Sequence, residues 1–187
     1  MTEHLPDRDL RIALLRAVNV AGSGMVSMEA LRDLLGKMRF ADVRSVIQSG
    51  NLVFRTRSGD NGALERRLES EVARTLGLRT EIFVRTAPEW TDVVRQNPFP
   101  EMAKRDPGHL VLTVLRESPP PSAWDALRSA IRGREEVRGI GRQAYFVYPD
   151  GTGRSTLTPA LIERKLGTRG TSRNWNTVTR LERLLLE

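Results

Sequence analysis

The sequence predicts an α+β fold of two lobes of βαββαβ type, the second ending in an extra C-terminal helix. Three observations predict it. Short β-prone runs alternate with amphipathic helical stretches, and they do so twice in the same order. A proline- and glycine-punctuated interval, residues 97–108, separates the two series. The 187 residues suffice for two small cores packed from one chain.

In the first lobe, residues 10–16 alternate and then run apolar, the pattern of a strand. Residues 19–24 are a loop of glycine and small side chains. Met28, Leu31, Leu34, Leu35 and Met38 recur at spacings of three and four, so a helix there carries one apolar stripe. Ser27 is placed to cap it, its hydroxyl accepting from a first-turn amide. Residues 43–48 and 52–56 are β-prone runs joined through Ser49-Gly50-Asn51, and Gly beside Asn tolerates the positive φ of a hairpin turn. Leu64, Leu68, Val72 and Leu76 form the stripe of a helix over 63–76 that Gly77 ends. Residues 81–85 complete the βαββαβ order of a ferredoxin-like lobe, taken as 1–86.

Thr86 and Glu89 form a capping box for a short helix reaching Arg95. Residues 87–108 read as that helix plus a linker broken at Asn97-Pro98-Phe99-Pro100 and turned at Asp106-Pro107-Gly108. The second lobe, 109–187, opens with the buried-strand run 110–115. A helix capped at Ser122, with Asp125 as its box partner, carries Trp124, Leu127 and Ile131. Residues 136–140 and 144–148 read as a hairpin, and Thr158 caps a helix with Pro159 at its first position, where no amide donor is lost. A final helix over 175–186 stands where the pattern would place its last strand, and the repeated order implies a duplicated architecture.

Composition narrows the chemistry. Cys is absent, which removes disulfides, thiolate metal sites and cysteine nucleophiles and fits a reducing, cytoplasmic setting. No apolar run approaches the ~18 residues of a membrane span, and the mixed-charge start does not read as a signal peptide. The net charge is +7, almost all of it from arginine. Ten basic residues lie between Arg132 and Arg180 against Glu135, Glu136, Asp150 and Glu163. A solvated basic face explains that excess, and so does an anionic partner, because the arginine fork matches phosphate oxygens.

Several motifs carry competing readings. Gly139-Ile140-Gly141-Arg142-Gln143-Ala144 has the letters of a dinucleotide fingerprint, but a strand follows it where the fingerprint needs a helix. A hairpin explains it, and no cofactor is expected. His4 and His109 do not form a pair, no carboxylate cluster has metal-ligand spacing, and no nucleophile elbow or phosphate loop is present. Phe146 and Tyr148 share a strand face and suit core packing better than base stacking. The loop 19–24 precedes a helix start and could seat an anion on free amides. Thr171-Ser172-Arg173-Asn174-Trp175-Asn176-Thr177 is either a capped helix start with a docking indole or a polar pocket wall.

Arg16-Ala-Val-Asn19-Val-Ala-Gly22, Ile47-Gln48-Ser49-Gly50-Asn51-Leu-Val-Phe54, Asn97-Pro98-Phe99 and Thr171-Ser-Arg173-Asn174-Trp175-Asn-Thr177-Val together resemble the signatures of the DUF1697 family. The resemblance implies two ferredoxin-like halves and no assigned activity. The family's first loop usually reads Gly-Ile-Asn-Val-Gly-Gly; Ala17, Val18 and Ala21 depart from it here, and Ala21 restricts the backbone where glycine would not. Arg16, Asn19, Gly22, Gln48, Ser49, Asn51, Arg173, Asn174 and Trp175 are the candidate ligand-binding residues, expected to meet in a polar cleft between lobes that takes an anionic or nucleotide-like small molecule. Three further readings stay open: a transferase for a phosphorylated metabolite with Arg16 and Arg173 as charge stabilisers, a nucleic-acid-binding module using the basic half, and an interaction protein using the tail leucines Leu181, Leu184, Leu185 and Leu186. Neither enzyme status nor oligomeric state is set by the sequence.

Overall fold

The computed structural model describes residues 8–16, 26–46, 50–57 and 59–187. The chain divides into two compact units, Met1–Asp92 with Arg180–Glu187, and Val93–Thr179. The elements of the first are β1 (Arg8–Leu15), α1 (Met28–Lys37), β2 (Ala41–Ser45), β3 (Asn51–Arg57), α2 (Asn61–Leu76) and β4 (Ile82–Thr86), followed by α3 (Ala87–Arg95). The second contains α4 (Pro100–Arg105), β5 (Leu110–Leu115), α5 (Pro121–Arg128), β6 (Glu136–Ile140), β7 (Gln143–Val147), α6 (Pro159–Leu166) and β8 (Gly170–Asn174), and α7 (Trp175–Leu186) begins there.

Each unit holds one four-stranded sheet, ordered β2-β3-β1-β4 and β6-β7-β5-β8. Every pair is antiparallel. The two orders are the same once the second set is renumbered, so the duplicated architecture inferred from the sequence is present strand for strand. The equivalence reaches single bonds. The Leu15 amide donates to Gly50 and the Arg16 amide to Glu81, while the Leu115 amide donates to Arg142 and the Arg116 amide to Arg169, all at 2.8–2.9 Å.

In the first unit one sheet face, Ala13, Leu15, Leu52, Phe54, Ile82 and Val84, packs against Leu31, Leu34 and Leu35 of α1 and Leu68 and Val72 of α2. Phe40 stacks on Phe54 with centroids 4.8 Å apart. The opposite face, Ile12, Leu14, Val53 and Phe83, is also buried, which explains why β1 reads as a continuous apolar run. In the second unit Val111, Leu115, Ala144 and Phe146 pack against Trp124, Leu127, Ile162 and Leu166. Phe146 and Tyr148 are thus core residues, as expected.

The edge strands β4 and β8 are closed by helix carboxylates. Glu65 and Glu69, one helical turn apart on α2, accept from the amides of Val84 and Ile82, both at 2.8 Å. Glu163 of α6 accepts from Gly170 at 3.2 Å. An acceptor laid on an open edge satisfies amides that another strand could otherwise take. Glu65 also lies 3.9 Å from the buried Arg85 guanidinium.

Most caps stand where the sequence places them. Ser27 accepts from Ala30, Thr158 from Leu161, and Thr86 and Glu89 exchange both bonds of their box. Gly77 and Gly167 end their helices in the left-handed region. Three expectations change. Residues 170–174 form β8, so the second lobe has its full βαββαβ order and the final helix is added to the strand rather than replacing it. Pro100 opens α4 inside the expected linker. α5 begins at Pro121 with no side-chain cap, so Ser122 does not cap it. In both helices proline occupies a first-turn position that loses no intrahelical bond. In the tail, Leu181 is fully buried whereas Leu186 is 77% exposed, so the leucines do not share one free surface.

Candidate functional site

Of the nine candidate residues, Asn19, Gly22, Gln48 and Ser49 lie outside the described residues. Arg16 and Asn51 belong to the first unit, and Arg173, Asn174 and Trp175 to the second. Each of the five has a structural task. Arg16, just past β1, donates to Glu81 at 2.6 Å with both side chains half-buried. Asn51 is fully buried, and its Nδ2 donates to the Val46 carbonyl at 3.0 Å, pinning the base of the β2–β3 hairpin. Arg173 is half-buried on β8, where Nη1 donates to Thr171 Oγ1 and the Ser172 carbonyl, both at 2.8 Å. Burial pushes its pKa down to about 10, which leaves it charged at neutral pH. Asn174 caps α7: its Oδ1 accepts from the Thr177 amide at 3.0 Å and hydroxyl at 3.1 Å. Trp175 is 4% exposed, sits 6.3 Å from the Tyr145 ring and docks the helix start.

A different set of residues forms a concave site within the first unit. Arg32 of α1, Val43, Arg44 and Ser45 of β2, the adjoining Val46, and Arg180 and Leu184 of α7 line a cleft of about 350 Å³. Among the described residues its walls carry three guanidiniums and no carboxylate, with Val43, Val46 and Leu184 as apolar surface. Arg32 Nη1 donates to Ser45 Oγ at 2.7 Å. Arg44 donates through Nη1 to Glu187 Oε2 and through Nη2 to the Leu184 carbonyl, both at 3.1 Å. Its Nε is buried without a hydrogen-bond acceptor among the described residues.

Local backbone strain aims these side chains. The β2–β3 register shifts between Ala41 and Arg44, and Asp42 within that bulge has φ of 50°. A non-glycine residue at positive φ is uncommon, and a bulge bends an edge strand and redirects the side chains beyond it. Asp42 is held there by an ion pair with Arg55 Nε at 3.0 Å. Val43, Arg44 and Ser45 come next, and all three line the cleft.

Sequence reasoning did not single out Arg32, Arg44 or Arg180. They are far apart along the chain, and an arginine on an edge strand also suits protection of that edge. The signal that could have found them is the local composition of β2, where Arg44 and Ser45 stand beside the expected hairpin.

Other polar groups give less. His109 Nδ1 and Asp106 Oδ2 lie 2.6 Å apart, both side chains half-buried on a turn. Among the described residues no group of three or more His, Asp or Glu could hold a metal ion. The fingerprint glycines lie on the β6–β7 hairpin, as the order of elements demands. Among the described residues no helix is long and apolar enough to cross a membrane.

Residues 9–145 match the family described as Protein of unknown function (DUF1697). The chain belongs to the DUF1697 family. The matched span contains Arg32 and β2, whereas the Arg173-Asn174-Trp175 segment, Arg180 and Leu184 lie beyond it. A solved structure described as that of conserved bacterial protein SP0830 from Streptococcus pneumoniae is similar to this DUF1697 chain, with a TM-score of 0.73 and 19% identity. The likeness covers 95% of this chain and 99% of that one, and it establishes the shared fold. No curated protein matches the sequence.

Proposed function

We propose that this DUF1697 protein binds a small anionic metabolite, phosphorylated or nucleotide-like, in the cleft lined by Arg32, Arg44 and Arg180. The observation that carries the reading is the composition of that cleft: among the described residues, three guanidiniums, a serine hydroxyl and a short apolar wall line it, with Glu187 reaching Arg44 from beyond the lining. Guanidinium forks recognise phosphate oxygens in two-point geometry, and the apolar wall suits the organic part of such a ligand. Gln48 and Ser49, which come just after the lining Val46 in sequence, are the first of the remaining candidates to test as added contacts.

Isothermal titration with inorganic pyrophosphate, nucleoside diphosphates and sugar phosphates tests the reading at low ionic strength. Wild type binds a member of this panel, and Arg32→Gln and Arg44→Gln each weaken it by about tenfold or more, the usual loss of a charged hydrogen bond. Equal binding by wild type and both variants would refute the assignment.

A further inference from the structure

Glu187 brings a carboxylate to the cleft's Arg44. It lies just past α7, with its side chain 62% exposed and Arg44's 37% exposed. The contact uses one donor, Arg44 Nη1, and one oxygen, Oε2. The arginine is thus held by a single-point bond in wet surroundings, the weak form of this interaction. A phosphoryl group can offer two oxygens to the same fork, which is the strong form. Arg44 already bonds the Leu184 carbonyl and Ser45 already orients Arg32, so the cleft keeps its shape while this one bond exchanges.

We infer that the Glu187 side chain occupies, on Arg44, the position that an anionic ligand takes, and that binding proceeds by displacing it. This rests on the anion-binding reading above. Glu187 is then a tethered competitor. It lowers the affinity for every anion that uses Arg44 by one common factor. Binding also frees the Glu187 side chain from Arg44, so occupancy is reported at the end of α7.

The test measures dissociation constants for inorganic phosphate and inorganic pyrophosphate with wild type, Glu187→Gln, Arg44→Gln and the double variant. Glu187 is exposed, so the Gln variant keeps the fold, and circular dichroism verifies it. Glu187→Gln is expected to tighten both probes by the same factor, about two- to fivefold, the range set by an exposed ion pair. In the Arg44→Gln background the substitution is expected to change nothing. No tightening in Glu187→Gln, while wild type binds pyrophosphate, overturns displacement and leaves the cleft standing. A gain markedly larger for pyrophosphate than for phosphate also overturns it, because that outcome marks repulsion by a carboxylate that never left. Absence of binding by every variant overturns both this inference and the reading beneath it.

Discussion

Gly139→Ala is the substitution that separates the two meanings of the Gly-Ile-Gly-Arg-Gln-Ala string. In a dinucleotide site the glycine would admit a pyrophosphate. Here an added Cβ at Gly139 would stand closer than 3.0 Å to Cζ2, Cε2 and Cη2 of Trp124, a separation that real Cβ atoms essentially never show. The indole cannot swing away freely, since Trp124 is 9% exposed and belongs to the cluster of Leu127, Val137, Ala144 and Phe146. Forcing one methyl into such packing costs about 1–3 kcal/mol. At roughly 2–4 °C per kcal/mol for a chain of 150–250 residues, 2 kcal/mol lowers Tm by about 4–8 °C. Differential scanning calorimetry reads the shift, and the same substitution in a Trp124→Leu background reads its cause. The penalty should largely vanish there, because the clashing ring atoms are gone. An unchanged Tm in Gly139→Ala, or an equal loss in both backgrounds, would refute the packing argument.

Other outcomes rest on individual contacts. Tyr145 and Tyr148 are the only tyrosines; burial raises both phenols, Tyr148 from 10.0 to about 12, so absorbance at 295 nm should show no phenolate step near pH 10 in the folded protein. Because the folded values lie above the unfolded ones, the associated stability is whole below pH 10 and is lost as pH rises through about 12. A full two-tyrosine step at pH 10 without unfolding would contradict the buried placement. Asn174→Ala removes the cap of α7 and should cost about 1 kcal/mol in chemical denaturation, with Asn174→Asp nearly neutral. Glu65→Ala leaves the Val84 amide without its acceptor beside the buried Arg85 and should cost about 2–4 kcal/mol, while Glu65→Gln, which keeps an acceptor, should cost less.

Where local chemistry decides an element, the sequence was enough. Ser27, Thr86 with Glu89, Thr158 with Pro159 and Gly77 each settle a helix end through bonds within a few residues, and Gly50 takes the positive φ expected of it, while residues 47–49 of the expected hairpin lie outside the described residues. β8 was hidden because Gly170-Thr-Ser-Arg-Asn lacks apolar alternation. Its place is fixed by pairing with β5, where the Ser172 and Thr113 hydroxyls lie 2.8 Å apart. α4 was hidden because Pro100 reads as a breaker until its first-turn position is known. The same division holds at the candidate site. The conspicuous polar motifs of the described residues, at Arg16, Asn51 and Asn174, spend their bonds on a strand end, a hairpin base and a helix start. The arginine cleft draws on α1, β2 and α7, whose side chains no spacing rule could bring together.

The most direct test of the anion-binding account is a crystal structure of the protein with inorganic pyrophosphate. The account predicts density for the anion between Arg32, Arg44 and Arg180, with an oxygen on Ser45 or the Arg44 fork. Density beside Arg173 and none in the cleft would contradict it, and would move the site to the motif that the sequence made most conspicuous.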